Sequence, residues 1–176
     1  MPAPKKVVAI GPESTGKSTL CAALADHYAT QWVPEFAREY LLKLGRPYTY
    51  EDLAIIAKGQ LELEDRLTAS CQSPVIFIDT DMYVMKVWYE FVFGKCPDFV
   101  LDQIVARKYD LYLLCNTDLP WVKDELREYP DPALRNRLFH IYKDLLVNQH
   151  TPWVEIGGQN AERLRQGILG VNELLK

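Results

Sequence analysis

Apolar positions along this chain change period several times, and each change marks an element. Short, mostly apolar runs occur at Lys5–Ile10, Gln31–Val33, Val75–Asp79, Leu111–Cys115 and Trp153–Ile156. Runs of this kind predict strands, the longest of them buried on both faces. Between them the apolar spacing lengthens to three and four residues. Leu20, Leu24 and Tyr28 share one helical face, and Leu53, Ile56, Leu63 and Leu67 share another. Thr49-x-x-Asp52 can cap the second of these helices. Asp131-Pro132 offers a cap and a first-turn proline before Leu134, Leu138, Ile141 and Leu145. Asn160 can open a last helix with Ala161, Leu164, Ile168 and Val171 facing inward. Strands alternating with helices predict an α/β domain around a five-stranded parallel sheet. Ligands of such sheets bind beyond the carboxyl ends of the strands.

The first of those ends carries the sharpest chemical signal. In "VVAIGPESTGKSTL" an apolar run leads into Gly11-x-x-x-x-Gly16-Lys17-Ser18, the spacing of a phosphate-binding (Walker A) loop, and then into a helix. Average residue usage yields this pattern by chance in roughly half a per cent of chains this long. The glycines let backbone N–H groups converge on phosphate oxygens at the positive end of a helix. Gly11, Glu13, Ser14, Thr15, Gly16, Lys17, Ser18 and Thr19 are therefore the candidate ATP site. Lys17 is expected to reach the outer phosphates and Ser18 to hold Mg²⁺. The spacing is not G-x-G-x-x-G, so a doubly wound dinucleotide fold is not expected.

Two further strand ends carry carboxylates. "VIFIDTD" ends a buried run at Asp79, placed to hold Mg²⁺ directly or through water. Asp81 reads either as part of that site or as the cap of the next helix. "VPEFAREY" sets Glu35 and Arg38 three apart at a helix start. Glu35 can take a proton from a substrate hydroxyl and Arg38 can steady a phosphoryl group. The same pair also reads as a first-turn glutamate with a surface arginine partner. The polar, proline-bounded stretch at about 117–132 holds Lys123 and Arg127 and suits a closing lid, or else a solvated loop; Trp121 reads as lid packing.

Composition narrows the rest. The 176 residues suit one domain, and 48% hydrophobic with 25% charged residues is ordinary for a globular protein. A net charge of −4 gives no general attraction to nucleic acid or anionic membrane. No apolar run approaches a membrane span, and no secretory segment precedes the loop. Four scattered cysteines without a C-x-x-C pair predict reduced thiols and a cytoplasmic protein, and the three histidines lack metal-site spacing.

With these segments assembled, the chain resembles the ribosylnicotinamide kinase domain of the NadR-type NAD biosynthesis proteins. "GPESTGKST", "PEFAREYL", "IAKGQ", "FIDTD" and "WVKDELR" carry the resemblance, from Val7 to about Arg127. It implies a P-loop fold of the nucleoside-monophosphate-kinase type. It also implies transfer of the ATP γ-phosphate to the 5′-hydroxyl of nicotinamide riboside, giving nicotinamide mononucleotide. By the same resemblance Lys17, Ser18 and Asp79 serve ATP and Mg²⁺, Glu35, Arg38 and Asp81 lie at the riboside, and Arg127 belongs to the lid. Lys17, Glu35, Asp79 and Arg127 are the expected catalytic set. Where some members carry tryptophan this chain has Pro34, so Tyr48, Tyr50 or Trp88 is expected to supply the stacking face. Multidomain members add an adenylyltransferase domain; here one kinase domain over 1–176 is expected, without it. Two other functions fit the residues: a kinase of another nucleoside or small metabolite, and an ATP-dependent switch. A guanine-specific switch fits less well, because Cys115-Asn116-Thr117-Asp118 lacks the lysine of N-K-x-D.

Overall fold

A computed structural model describes residues 3–176 of the chain. Its elements run β1 (Lys5–Ile10), α1 (Lys17–His27), β2 (Trp32–Val33), α2 (Phe36–Leu44), α3 (Tyr50–Ser70), β3 (Val75–Asp79), α4 (Met82–Phe93), α5 (Asp98–Ala106), β4 (Leu111–Cys115), α6 (Pro132–Val147), β5 (Trp153–Ile156) and α7 (Asn160–Leu174). The five strands form one parallel sheet in the order β2-β3-β1-β4-β5. The apolar runs therefore mark the strands closely; only β2 is a residue shorter than expected.

Helices cover both faces, which is why the strands read as continuous apolar runs. Along β1, Val7 and Ala9 point into one core with Leu20 and Leu24 of α1 and Val171 of α7. Val8 and Ile10 point the other way, into a core with Val84, Leu138 and Leu146 of α4 and α6. A third cluster joins α2, α3, α4 and α5 through Ala37, Ile56, Met85, Tyr89 and Val100. It builds a shoulder beside the carboxyl ends of β2 and β3.

The caps at Thr49 and Asp131 form as expected, Thr49 and Asp52 making a reciprocal capping box. The inward faces of the last two helices differ from the apolar pattern. On α6 the buried set is Arg135, Leu138, Phe139, Tyr142 and Leu146, so Leu134, Ile141 and Leu145 lie at its margin. On α7 Asn160 is the first helical residue, as expected, but Ala161 faces solvent, and Arg163 is buried with Gly167 and Val171. In both cases an arginine occupies an inward position, which apolar periodicity cannot register.

"IAKGQ" has a packing explanation. A Cβ on Gly59 of α3 would stand 2.3–2.6 Å from ring atoms of Phe36, the first residue of α2. The adjacent Gln60 is buried; its Oε1 accepts from the Phe36 N–H at 2.8 Å, and its Nε2 donates to the carbonyls of Pro34 and Asp79 at 3.4 and 3.3 Å. Gln60 thus ties the segment around Glu35 to the end of β3. Overpacking costs about 1–3 kcal/mol, while alanine's better helix propensity returns up to about 1 kcal/mol. Gly59→Ala is expected to lower stability by about 1–2 kcal/mol in urea denaturation, with Phe36→Leu in the same chain recovering most of it. An unchanged midpoint would mean that the Phe36 ring turns aside freely.

Candidate active site

The loop from Gly11 to Ser18 turns tightly between β1 and α1. Gly11 must be glycine: its φ is +144°, and a Cβ would meet the Cys115 carbonyl at 2.7 Å. Thr15 Oγ1 donates to the Pro12 carbonyl at 2.7 Å and steadies the turn. Two buried arginines hold the loop from behind. Arg135 Nη2 donates to the Ser14 carbonyl at 3.1 Å, and Arg163 Nη1 donates to the Thr15 carbonyl at 2.7 Å. With those carbonyls occupied, the N–H groups from Glu13 to Gly16 make no loop hydrogen bond among the described residues. They remain available to an anion at the start of α1.

Parallel pairing aligns Ala9 with Asp79, so β3 delivers its last residue beside the loop. Ser18 Oγ donates to Asp79 Oδ2 at 2.5 Å. Burial pushes the Asp79 carboxyl up, against the pull of Lys17 and of the Ser18 and Thr80 hydroxyls. A hydroxyl and a carboxylate are hard oxygen donors of the kind Mg²⁺ takes. Among the described residues no cluster of three His, Cys, Asp or Glu side chains stands ready for a metal. Ser18 and Asp79 therefore fit a cation whose other ligands are phosphate and water oxygens. Lys17 Nζ donates to the Pro12 carbonyl at 2.8 Å, over the same loop.

The two aspartates of "DTD" part company. Thr80 between them has φ +80°, rare for a β-branched residue and a cost of about 1–3 kcal/mol. Asp81 is the buried N-cap of α4, accepting from the Tyr83 and Val84 N–H groups at 3.0 and 3.3 Å and from the Tyr112 hydroxyl at 2.8 Å. Burial pushes its carboxyl up to about 7. It does not line the cavity, which corrects the expectation of an acceptor contact. Tyr50 is corrected likewise. It opens α3 and packs edge-on against Tyr89 and Phe93, with Lys95 Nζ 5.1 Å from its ring.

A cavity of about 250 Å³ joins the phosphate loop with Glu35, Arg38, Tyr48, Trp88 and Arg127, while Asp79 is buried and meets the loop through Ser18. The loop from Gly11 to Thr19 lines it together with Glu35, Arg38 and Arg127, with Glu128 and Tyr129, whose N–H groups bond Glu13 of the loop, and with Tyr48 and Trp88. Glu35 is the N-cap residue of α2, yet its side chain makes no capping bond and lines the cavity instead. Trp88 Nε1 donates to the Tyr48 hydroxyl at 3.1 Å, and the rings meet edge-on at 5.2 Å.

The segment at 117–132 folds over this cavity. Glu13 accepts from Trp121 Nε1 at 3.1 Å, from the Glu128 N–H at 2.9 Å and from the Tyr129 N–H. Ser14 Oγ accepts from the Val122 N–H at 3.1 Å, and Arg38 clamps Asp124 at 2.8 and 3.3 Å. Tyr48 donates to Glu128 Oε2 at 2.9 Å, and Arg127 Nη1 donates to the Val122 carbonyl at 2.5 Å. The segment thus rests on both the phosphate loop and Tyr48. Sequence reasoning missed Gln60, Arg135, Arg163 and Glu128; for the first three, a Gln or Arg on an otherwise apolar helical face was the available signal, and Glu128, outside any helix, had none.

Burial, then repulsion from Asp79, pushes the Glu35 acid up to about 7, with Lys17 and Arg38 pulling down and Glu13 adding repulsion. A carboxyl with a raised folded-state pKa weakens the fold as it ionises, so its contribution falls as pH rises from the ordinary carboxylate range through about 7. Glu35→Gln is therefore expected to be more stable than the parent by about 1–2 kcal/mol near pH 8, after discount for partial exposure, with the two converging near pH 4. Thermal denaturation across that range, without nucleotide or metal, checks the sign.

Comparison with known proteins agrees with this geometry. A family profile described as an AAA domain matches residues 6–163. The trifunctional NAD biosynthesis/regulator proteins NadR of Escherichia coli K12 and Salmonella typhimurium LT2 are each 29% identical over 156 residues, 86% of this chain. The chain spans 38% of the length of these curated relatives. Among solved structures, NadR in complex with NR superposes with a TM-score of 0.73 at 22% identity, over 97% of this chain and 50% of that one. NadR in complex with NAD and AMP-PNP gives 0.73 at 24%, over 97% and 49%. Thymidylate kinase from Ehrlichia chaffeensis gives 0.65 at 13%, over 99% and 100%. The phosphate-loop geometry and the parallel sheet are thus those of a P-loop domain, and the chain belongs to the AAA-domain family, with a fold shared by NadR and thymidylate kinase.

Proposed function

We propose that this protein is an ATP-dependent small-molecule kinase that phosphorylates nicotinamide riboside at its 5′-hydroxyl, giving nicotinamide mononucleotide. The observation that carries the reading is Glu35, a carboxylate free of capping bonds that shares one cavity with the phosphate loop and with Tyr48 and Trp88. A phosphate donor at the loop and an aromatic acceptor at Tyr48 and Trp88 would meet at Glu35. The likeness to NadR, whose solved structures hold NR and AMP-PNP, supports the same pairing.

The roles follow from charge and position. Loop N–H groups and Lys17 would bind the donor phosphates, with Ser18 and Asp79 holding Mg²⁺. When bound, Mg²⁺ neutralises charge on the phosphate oxygens. The acceptor oxygen bonds to the γ-phosphorus as the bond to the bridging oxygen breaks, ADP leaves, and Glu35 takes the hydroxyl proton. A carboxyl near 7 is tuned for that exchange at neutral pH. Arg127 would meet the charge that develops on the transferring group. Trp88, Tyr48 and the Glu128 carboxylate line the same cavity, and an aromatic face with a negative charge beside it would favour a cationic ring.

A nucleotide switch is the weaker reading. Both oxygens of Asp118 are engaged, Oδ1 with Arg163 and Oδ2 with the Gly158 N–H at 2.6 Å. That removes the carboxylate a guanine-reading switch would need. Among the described residues no helix is long and apolar enough to cross a membrane.

Mass measurement of products is expected to show one phosphate gained by nicotinamide riboside from ATP and Mg²⁺, and none by nicotinamide mononucleotide. Far higher kcat/KM for adenosine, cytidine or uridine would assign a different acceptor. Lys17→Ala is expected to keep the fold and lower transfer by about 10²–10³; near-normal turnover would remove this loop from the chemistry.

A further inference from the structure

A glutamate inside a polyphosphate-binding loop is electrostatically adverse, so the structure should show what its charge is for. Both oxygens of Glu13 turn to the lid rather than to the loop. Oε1 accepts from the Trp121 indole at 3.1 Å and from the Tyr129 N–H; Oε2 accepts from the Glu128 N–H at 2.9 Å. Hydrogen bonds to a charged acceptor are about twice as strong as neutral ones. Two of these three donors are the backbone N–H groups that directly follow Arg127. The peptide that carries Arg127 is therefore pinned to the phosphate loop on its C-terminal side, while its guanidinium reaches back to the Val122 carbonyl at 2.5 Å. Val122 in turn donates its own N–H to Ser14 of the loop at 3.1 Å.

We infer that Glu13 is a positioning residue, which docks the lid on the phosphate loop and so sets where Arg127 stands. Its carboxylate is turned away from the nucleotide, whatever its backbone N–H binds. The effect on turnover rests on the kinase reading above; the docking itself does not. Ion pairing through Arg38 and Asp124 cannot replace it, because the Arg38 side chain is 52% exposed and such pairs contribute about 0–1 kcal/mol. The lid otherwise lacks helix or strand between Cys115 and Pro132, so its position depends on these bonds.

The test uses Glu13→Ala, Glu13→Gln and Arg127→Ala in the full chain, with two readouts. The first is the rate of tryptic cleavage after Lys123 and Arg127, read by mass. Glu13→Ala is expected to raise it roughly tenfold, and Glu13→Gln by less, since one acceptor oxygen survives. The second is kinetics. Glu13→Ala is expected to lower kcat roughly ten- to a hundredfold, with ATP affinity in the absence of acceptor kept or improved as a negative charge leaves the loop. In the Arg127→Ala background the same substitution is expected to cost little more, because its effect passes through Arg127. Unchanged cleavage overturns the inference, as does full additivity of the two kcat effects. A large loss of ATP affinity with unchanged cleavage assigns Glu13 to the nucleotide instead. If the parent protein transfers phosphate to no riboside, the kinase reading fails, and the cleavage rates alone decide the docking role.

Discussion

The site depends on one register: β1 and β3 pair in parallel so that Ala9 stands beside Asp79. This brings a carboxylate to the hydroxyl of Ser18 across 61 residues of chain, at 2.5 Å. A slip of one residue would turn Asp79 to the other face of the sheet and expose an apolar side chain in its place. The register is well protected against such a slip. Val7, Ala9, Val75 and Phe77 fill one core while Val8, Ile10, Ile76 and Ile78 fill the other, so the pair is buried from Val7 and Val75 onward. β2 then lies against β3 with Val33 beside Ile78, and its end carries Glu35 to the same edge. Gln60 closes the arrangement by bonding to both sides of Glu35 and to the Asp79 carbonyl.

Burying charge beside the loop is unfavourable by itself, and the structure meets that cost with specific partners. Arg163 spends its guanidinium on the Thr15, Asn116 and Gly158 carbonyls and on Asp118, so three segments share one buried cation. Glu64 receives Lys6, Arg107 and the Tyr109 hydroxyl beneath the sheet. Asp81 receives a hydroxyl and two N–H groups but no cation, and burial raises its pKa accordingly. Asp79 and Glu35 are raised too, yet each stands where a cation or a proton could arrive. Arg163 and Glu64 hold the scaffold through their partners, while Glu35 lines the cavity.

The lid connects the phosphate loop and Tyr48 through single residues. The backbone N–H of Glu128 is held by the phosphate loop, and its carboxylate by Tyr48. Arg38 and Asp124 add a clamp from α2. Displacing the loop or Tyr48 thus strains the same short segment, which is a physical route by which one ligand could influence the seat of another.

The sequence by itself determined the alternating α/β order, four of the five strands to the residue, the caps at Thr49 and Asp131, and the phosphate loop. Each is a local signal: a period, a spacing, or a side chain that bonds within its own turn. It also pointed to Glu35 and Asp79, polar residues that follow an apolar run, and to Arg127 in a charged, proline-bounded stretch. Only the tertiary structure decided between alternatives that locally look the same. Asp79 and Asp81 are both strand-end aspartates, but the turn at Thr80 sends one to the loop and the other into a helix cap. Tyr48 and Tyr50 are two residues apart, yet the shoulder of α3 and α4 takes Tyr50 into its packing and leaves Tyr48 on the cavity. Glu13, Gln60, Arg135 and Arg163 each reach at least one partner far away in the chain: Glu13 reaches Trp121, Gln60 Pro34, Arg135 Ser14 and Arg163 Thr15. Their hydrogen bonds leave no trace in local periodicity, since an inward polar residue reads as a gap in a stripe until its acceptor is in place.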